Sequence, residues 1–359
     1  MEEGQFFPYH SLNKIQRIEP DGINVIYRKL GDEESRQIFI DRLLFSMTYE
    51  WQFINHLLKI SGNYTKLNDV LTRKENISAY IYGAGIRGKN LLDIFPEYNW
   101  VGYIDRSKQI GGVYNDIPVY GIEECSKISD KDVIIVSNAS ESEKIIQELM
   151  DRGICKDNIL SYEENIRELS KYIYFEDFCI DKQRLKGKAF VDVGAYKGED
   201  SIRYYKWINN LNAKIIAFES DLNNYEICKL NLTKYKNIKL YNMGLSNKSG
   251  EQNFVSGKGK MSVFSEMGDI AVPMTCLDEV ANTMEIGYIK MDIEGFEKQA
   301  LLGARRIIKQ QYPMLAVSIY HKREDIWEIP KIILELNPKY KFFLRHYSLR
   351  QVDTVLYAV

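Results

Sequence analysis

The stretch AFVDVGAYKG, residues 189–198, decides the fold of the C-terminal half of this chain. Apolar residues on both sides of Asp192 predict a buried strand, and the glycines that follow predict a tight turn into a helix. Backbone N–H groups at such a helix start can hold a polar or anionic ligand, which glycines allow to approach closely. The D-x-G-x-x-x-G spacing of Asp192, Gly194 and Gly198 lacks the glycine pair that cradles a pyrophosphate, which favours a cofactor with a sulfonium and an amino-acid end.

Two further signals follow at the ends of the next strands. Glu219 ends KIIAFES about 25 residues after Gly194, where a carboxylate can accept hydrogen bonds from both hydroxyls of a ribose. Asn242 lies near the end of IKLYNM and Gly244 directly follows it. At this position a side-chain amide and the loop backbone can face an adenine. Three signals in order, each at the carboxyl end of a strand, predict one nucleotide crevice, because ligands bind there in parallel sheets.

Outward from this stretch, seven apolar strands read AFVDVG, KIIAFES, IKLYNM, GYIKMDI, PMLAVSIY, KFFLRHY and DTVLYAV. Helical stretches separate the first five, as in a parallel sheet covered on both faces. The last two are separated by too few residues for a parallel crossover, so they must pair as an antiparallel hairpin. Residues 250–276 form an insertion with two short extended pieces. The sequence therefore predicts an α/β fold with a doubly wound, mostly parallel sheet and an antiparallel C-terminal hairpin.

Three regions of the chain differ in pattern. Residues 1–76 are expected to be a helical N-terminal segment, residues 77–165 a smaller Rossmann-like α/β domain, and residues 166–359 the larger α/β domain. The apolar face of an amphipathic helix in the first region is expected at Ile40, Leu43, Leu44 and Met47.

Composition excludes several classes of protein. The 359 residues carry 48 basic and 50 acidic side chains without a basic block, which argues against binding of nucleic acid. Five scattered cysteines without a C-x-x-C pair fit reduced thiols better than disulfides or a zinc knuckle. We find no signal peptide and no apolar run of about 18 residues, so we expect a cytoplasmic protein without a membrane span. Association into a homo-oligomer is left open.

The stretch IKMDIEGFE carries the charged residues expected at a reaction centre. Lys290, Asp292 and Glu294 alternate, so they would share one face of a strand that ran as far as Gly295. The lysine should then lower the pKa values of both carboxylates and keep them charged.

Two histidines follow the ends of the next two strands, His321 in YHKRED and His346 in FLRHY. A neutral histidine is a suitable base for a hydroxyl, and His321 is the first choice. The alternative is a divalent metal held by Asp292, Glu294 and His321, which would polarise the hydroxyl. A core or capping role is the competing interpretation for both histidines, and it is strongest for His346.

Taken together, these motifs resemble the FkbM family of methyltransferases. FVDVGAYKGEDS, IAFES, NMGLSNKSG, TCLDEV and YIKMDIEGFEKQALLGA follow one another as in that family, over about residues 170–359. The resemblance implies a class I methyltransferase fold with S-adenosyl-L-methionine as cofactor. It also implies O-methylation of a small-molecule or glycan acceptor, at a hydroxyl of a sugar, glycan precursor or secondary metabolite.

The resemblance further implies roles for individual residues. Asp192, Gly194 and Gly198 would line the methionine end of the cofactor, Glu219 would hold its ribose, and Asn242 with Gly244 would flank its adenine. Asp278, Asp292 and Glu294 match the acidic positions of the family near the reaction centre. Besides these, we expect cofactor contacts from Ala195, Tyr196, Ser201, Ser220 and Asp292, catalytic roles for Lys290, Asp292, Glu294 and His321, and acceptor contacts in this domain from Asp278 and His346. Ser220 stands where many members have proline, a mild departure that leaves the binding role of Glu219 intact.

The first domain carries a glycine loop of its own. YGAGIRG places Gly83, Gly85 and Gly88 between a strand and a helix, and Asp105 ends the next strand about 20 residues later, as in a dinucleotide fingerprint. The pattern also resembles the nucleotide-sugar-binding domain of bacterial sugar acyltransferases. Three interpretations stay open: a site for a nucleotide-sugar or glycan end, an NAD(P) site, and a docking module without a ligand. The chain could accordingly be an NAD(P)-dependent nucleotide-sugar-modifying enzyme or a non-catalytic nucleotide-binding scaffold.

Overall fold

A computed structural model describes residues 20–60, 77–96, 98–106, 110–129, 131–138, 141–162, 170–210, 212–255, 263–264, 270–348 and 350–359. The helices are α1 Pro20–Lys29, α2 Glu33–Thr48, α3 Gln52–Ile60, α4 Ile86–Ile94, α5 Ser142–Asp151, α6 Glu199–Ile208, α7 Leu222–Leu232, α8 Leu277–Val280, α9 Glu297–Gly303, α10 Arg305–Gln311 and α11 Asp325–Leu336. The first strands are β1 Ala79–Tyr82, β2 Trp100–Asp105, β3 Val113–Tyr114, β4 Ile117–Gly121, β5 Val133–Val136 and β6 Ile159–Ser161. The later strands are β7 Ala189–Val193, β8 Ile215–Phe218, β9 Ile238–Tyr241, β10 Gly244–Leu245, β11 Gly250–Val255, β12 Val263–Phe264, β13 Ile270–Thr275, β14 Ile286–Met291, β15 Met314–Ser318, β16 Phe342–His346 and β17 Thr354–Ala358.

The larger sheet has seven strands in the order β16-β17-β15-β14-β7-β8-β9. The strands from β15 to β9 are parallel to their neighbours, whereas β17 runs antiparallel to both β15 and β16. This arrangement confirms the predicted doubly wound, mostly parallel sheet with an antiparallel C-terminal hairpin. The direction of winding reverses between β7 and β14, so the carboxyl ends of these two strands border the ligand crevice of such a sheet.

The smaller sheet has the order β3-β4-β2-β1-β5-β6, and all its pairs are parallel except that of β3 with β4. Its glycine loop joins β1 to α4 at the carboxyl edge, as the sequence predicts. Among the described helices, none is long and apolar enough to span a membrane.

The insertion after β9 folds into a third, four-stranded sheet in the order β10-β13-β11-β12. Val272 and Met274 of β13 are buried against Phe296, which lies in the loop after β14. The insertion therefore touches the loop that carries the predicted reaction centre. Residues 256–262 and 265–269 of the insertion lie outside the described residues.

The N-terminal helices share the core of the larger domain. Ile38 and Phe39 of α2 are buried in the same apolar cluster as the strands β7, β14 and β15. A β-bridge joins Leu30 to Phe342, at the start of β16. Residues 20–60 of the predicted N-terminal segment 1–76 are therefore helices that pack against the larger domain. Residues 1–19 and 61–76 of that segment lie outside the described residues.

The helix α2 is present, but its predicted apolar face is only partly correct: Leu43 packs against the core, whereas Ile40 and Leu44 are only partly buried. Met47 is 59% exposed, and the buried residues of α2 are Ser35, Ile38, Phe39, Asp41, Arg42, Phe45 and Ser46. Several of these are polar and have partners: the Ser35 hydroxyl oxygen accepts a hydrogen bond from the backbone N–H of Leu344, and Arg42 donates to the Gln351 carbonyl. The periodicity of apolar residues alone therefore did not locate the centre of the buried face, which includes these polar residues.

Ile38→Ala is expected to lower the free energy of unfolding of the larger domain by about 2–5 kcal/mol, because it leaves a cavity at a fully buried side chain. Val25→Ala, at a position that is 52% exposed, is the control and should cost less than about 1 kcal/mol. Urea unfolding followed by circular dichroism compares the two. Equal midpoints would show that α2 is not part of this core.

Candidate active site

The loop after β7 and the loop after β14 meet where the winding of the sheet reverses. Gly194, Tyr196 and Gly198 have left-handed backbone torsions, with φ values of 81°, 49° and 82°. A Cβ on Gly194 would lie 2.0 Å from the carbonyl oxygen of Asp292, so only glycine permits this contact between the loops. The glycine loop that the sequence predicts to hold a cofactor therefore lies directly beside the predicted reaction centre.

The backbone N–H groups of this loop are largely bonded within the protein. Those of Gly194 and Ala195 both donate to the Phe218 carbonyl, at 3.0 and 2.9 Å, and that of Gly198 donates to Ala195. The expectation that free N–H groups here receive a ligand is thus corrected for these three residues. Any contact they make with a cofactor has to use other atoms.

Asp192 and Ser201 are internal residues, which corrects the prediction that they touch a cofactor. The Ser201 hydroxyl donates a hydrogen bond of 2.7 Å to Asp192, and both residues are fully buried. The second carboxylate oxygen of Asp192 lies 3.2 Å from the Lys290 ammonium. Together these contacts fix the first turn of α6 to the end of β7.

Lys290 belongs to this internal group and not to the reaction centre where the sequence placed it. Its ammonium lies 3.4 Å from Asp200 and donates to the Gly194 carbonyl at 2.8 Å. Burial disfavours the ammonium, but Asp192 and Asp200 outweigh that effect, so the pKa of Lys290 is raised and the side chain stays charged. Lys290 therefore ties the glycine loop to the sheet.

Glu219, at the carboxyl end of β8, reaches back to the glycine loop. Its carboxylate accepts hydrogen bonds from the backbone N–H groups of Tyr196 at 2.7 Å and Asp221 at 2.8 Å. Burial raises the pKa of Glu219 to about 7, although these two hydrogen bonds oppose the shift. Its contact with a ribose stays a prediction.

Asn242 and Gly244, which the sequence predicts to face an adenine, make contacts within the protein. The Asn242 side-chain amide donates to the carbonyls of Glu219 and Ser220, at 2.9 and 3.3 Å, so it tethers the turn after β8. Gly244 is not in a loop but begins β10 and pairs with Met274 of β13. These contacts support the turn that carries Glu219.

Asp292 and Glu294 lie in a loop, because β14 ends at Met291. The chain turns sharply there, with left-handed φ values of 54° at Glu294 and 93° at Gly295. Asp292 and Glu294 therefore do not continue a strand face from Lys290, as the sequence predicted. Burial raises the pKa of Glu294 to about 7, contrary to the expectation that a lysine would lower it.

Two tyrosines hold the carboxylate of Asp292. The Tyr174 hydroxyl donates to Oδ2 at 2.9 Å, and the Tyr320 hydroxyl donates to Oδ1 at 3.3 Å. Burial would raise the pKa of Asp292, but His321, Lys290 and the hydrogen bonds to it lower the pKa overall. Asp292 is thus an ionised carboxylate at the crevice, and the two tyrosines fix its orientation.

His321 lies among three carboxylates. Its Nε2 is 3.4 Å from Asp292 Oδ1 and 3.5 Å from Glu294 Oε2, and its Nδ1 is 3.0 Å from Glu297 Oε1. Burial disfavours the imidazolium, but the three carboxylates outweigh it and raise the pKa of His321 to about 10. The predicted grouping with Asp292 and Glu294 is present, whereas the expected neutral state is wrong. A protonated imidazole must lose its proton before it can act as a base.

Two residues predicted to contact the acceptor have structural roles instead. His346 is 1% exposed, its Nδ1 lies 2.8 Å from the Thr354 hydroxyl, and burial lowers its pKa to about 3. It is a neutral core histidine, as the competing interpretation held. Asp278 accepts hydrogen bonds from the backbone N–H groups of Arg306 and Ile307, at 2.8 and 3.0 Å, and so caps α10.

Sequence reasoning assigned no role to Glu297, Tyr174 or Tyr320, which complete the cluster around Asp292 and His321. Glu297 follows Glu294 by three residues at the start of α9, and this spacing of about one helical turn was an available signal. Tyr174 precedes Asp292 by 118 residues, and no local pattern connects them.

The glycine loop of the smaller domain also has its predicted form. A Cβ would lie 2.7 Å from a serine hydroxyl at Gly83 and 2.3 Å from a carbonyl oxygen at Gly88, whereas Gly85 faces open space. The Asp105 carboxylate accepts a hydrogen bond of 2.9 Å from a backbone N–H of this loop. The four residues predicted to bind a ligand in this domain therefore lie together, and that role stays a prediction.

Comparisons with known proteins bear on the larger domain. Residues 192–347 match the family model of the methyltransferase FkbM domain. No curated protein matches the chain. Among solved structures, the chain is similar to a methyltransferase FkbM from Methylobacillus flagellatus KT, with 18% identity and a TM-score of 0.48 over 87% of this chain and 99% of that one. It is also similar to a SAM dependent methyltransferase from Aquifex aeolicus, with 15% identity and a TM-score of 0.32 over 54% and 96% of the two chains. A third similar structure is the SAH-bound methyltransferase PaMTH1 of Podospora anserina, with 12% identity and a TM-score of 0.29 over 66% and 92%.

Proposed function

We propose that the C-terminal half of this chain, in which residues 192–347 match the methyltransferase FkbM domain, transfers the methyl group of S-adenosyl-L-methionine to a hydroxyl of a sugar, glycan precursor or secondary metabolite. One observation carries the proposal. The loop after β7, to which Glu219 is bonded, contacts the loop after β14, which presents Asp292. A cofactor held by the first loop would therefore meet an acceptor held by the second.

The donor set at this crevice suits S-adenosyl-L-methionine. Glu219 offers carboxylate oxygens, which suit the two hydroxyls of a ribose. Asp292 is an ionised carboxylate beside Gly194, and a negative charge there suits a cationic sulfonium. The bound cofactor supplies an activated methyl group, so the protein's task is to align the acceptor oxygen and remove its proton.

In the proposed reaction, the acceptor oxygen attacks the methyl carbon in line with the sulfur. A C–O bond forms, the S–C bond breaks, and S-adenosylhomocysteine is released as a neutral thioether. The hydroxyl proton passes to the group formed by Asp292, Glu294 and His321. Within that group, Glu294 has a pKa of about 7 and can take the proton directly, whereas His321 can do so only after deprotonation.

Thermal unfolding with different ligands tests the proposal against its alternatives, because a ligand stabilises the state that it binds. S-adenosylhomocysteine at 100 times its Kd should add about 2.7 kcal/mol, whereas NAD(H) should have no effect. The reverse result would favour an NAD(P)-dependent enzyme that uses the first glycine loop, and no shift with either ligand would favour a scaffold. A positive result is followed by incubation with free and nucleotide-linked sugars, in which the product gains the mass of one CH₂ group.

The affinity for S-adenosylhomocysteine is expected to increase with pH through about 7, because Glu219 must be ionised to accept hydrogen bonds from both ribose hydroxyls. Below that pKa, each pH unit should weaken binding by up to about tenfold. Calorimetric titration between pH 6 and pH 8 measures this dependence, with Glu226→Gln on the exposed side of α7 as the control. The Glu219→Gln variant should bind S-adenosylhomocysteine weakly at every pH. If its affinity and the dependence of that affinity on pH are unchanged, Glu219 is not part of the site.

A further inference from the structure

We propose that Asp292, Glu297 and His321 form a binding site for one divalent cation of the Mg²⁺ and Mn²⁺ class. Each of the three residues offers one ligand atom, and these atoms all lie within 4.8 Å of one another. Ligands on adjacent positions of such an ion lie about 3 Å apart at bond lengths of about 2.1 Å, so modest side-chain movement would complete the site. The set differs from the one that the sequence suggested, because Glu297 takes the place of Glu294.

Buried polar atoms without partners point to a ligand at this position. The side chains of His321 and Glu297 are only 7% and 1% exposed. Among the described residues, the Oε2 atom of Glu297 has no hydrogen-bond partner. The ring nitrogens of His321 lie beside carboxylate oxygens but form no hydrogen bond of acceptable geometry with them. Buried polar atoms left in this way are costly, and a divalent ion that displaces the proton of His321 would satisfy the carboxylate and the imidazole together.

The charges of the cluster also favour a cation. Asp292, Glu294 and Glu297 all lie within 3.5 Å of the same imidazole, so three carboxylates surround one ring. Even a protonated His321 leaves this partly buried group with an excess of negative charge, and a divalent ion would offset it.

The ammonium groups of the neighbouring lysines are bonded to other groups, although Lys290 still interacts with Asp292 electrostatically. The Lys290 ammonium is paired with Asp192 and Asp200, on the cofactor side of the sheet end. The Lys322 ammonium donates to the Gly295 carbonyl. The described lysines near the loop therefore have other partners.

The donor atoms set the class of ion. Two carboxylates and one imidazole are a set in which oxygen predominates, as magnesium and manganese prefer, and no thiolate belongs to it. The role of the ion rests on the proposed function: held between Asp292 and the acceptor, it would polarise the acceptor hydroxyl. Binding of the ion does not depend on that function.

Titration with Mn²⁺ tests the site on the full chain after treatment with a chelator. The electron paramagnetic resonance signal of free Mn²⁺ should decrease by one equivalent per chain. Glu297→Gln should weaken binding by about 10–100-fold, since glutamine can still accept the hydrogen bond that Ile293 donates to Glu297 but lacks the charge. Glu226→Gln, on the exposed side of α7, is the matched control and should bind as the unsubstituted chain does.

Two outcomes would overturn the proposal: no loss of the free signal, or equal weakening by Glu226→Gln and Glu297→Gln, which would indicate adventitious binding. Circular dichroism of each variant verifies that it is folded, and Asp292→Asn provides a second test if Glu297→Gln does not fold. S-adenosylhomocysteine binding is measured on the same samples. If the chelated chain binds cofactor and its turnover is unchanged, the proposed function holds and the metal has no part in it. If the chain binds Mn²⁺ but no cofactor, the metal site is present and the proposed function is wrong.

Discussion

Asp292→Asn is expected to lower kcat by about 10²–10⁴-fold, the range that a positioned acid–base group contributes. Asparagine has the same shape and can still accept a hydrogen bond from Tyr174 or Tyr320. It lacks the charge that faces His321 at 3.4 Å and that suits a sulfonium. Because the loop contact with Gly194 uses only backbone atoms of Asp292, affinity for S-adenosylhomocysteine, which has no sulfonium charge, should change far less than kcat. Release of S-adenosylhomocysteine at saturating cofactor and acceptor measures the rate.

Asp278→Asn is the matched control for this prediction. It makes the same substitution at an acid that the family resemblance placed near the reaction centre, but the structure shows that Asp278 caps α10. Its kcat should remain close to that of the unsubstituted chain, with a stability cost of about 1 kcal/mol from the weakened cap. If the Asp278 variant loses turnover and the Asp292 variant retains it, the reaction centre has been assigned to the wrong loop.

Lys290→Met is expected to lower the free energy of unfolding by about 3–5 kcal/mol, the cost of leaving one partner of a buried ion pair without the other. The lysine and Asp192 are 2% and 0% exposed, so water cannot replace the lost ammonium. Adding Asp192→Asn to the variant should restore part of the loss, because it removes the unpaired charge. Urea unfolding of both single variants and the double variant gives the coupling energy.

The surface pair of Lys229 and Glu226 is the comparison for this experiment. Both side chains are at least 60% exposed and their charged atoms are 3.9 Å apart, so Lys229→Met should cost no more than about 1 kcal/mol. A Lys290 variant that is no less stable than the Lys229 variant would mean that the buried pair does not hold the glycine loop. If the Lys290 variant is stable but binds the cofactor weakly, the lysine positions the glycine loop without contributing to the stability of the fold.

Most strands of the larger sheet could be predicted from the sequence because they are buried on both faces, although β9 at the sheet edge is only partly buried. A strand such as β8 or β15 is then a largely apolar run bounded by turn residues, and its pattern is local. The hairpin of β16 and β17 followed from the short connection alone. By contrast, the buried face of α2 includes Ser35, Asp41 and Arg42, whose partners on other elements make their burial favourable and cannot be read from the helix itself.

In the candidate site, too, features with a local sequence pattern could be predicted and features that depend on distant partners could not. Glu219, Asp292 and His321 could be predicted because each lies at or just after the end of an apolar strand, and parallel strands bring such ends to one edge. The orientation of Lys290 could not, because the strand ends one residue before Asp292 and the lysine turns to Asp192 and Asp200. Contacts such as that of Tyr174 with Asp292 depend on tertiary packing across many residues.

The way in which α2 and β17 close the larger domain has a consequence for its biosynthesis. Ser35 and Leu344 are joined by a hydrogen bond across 309 residues, and β17 lies between β15 and β16. Such distant partners fold slowly, because the loop between them must be closed before their contacts form. A nascent chain on the ribosome would carry α2 with its apolar side uncovered until the last strands are made, while the smaller sheet could already assemble. This intermediate is the stage at which a chaperone would be needed most.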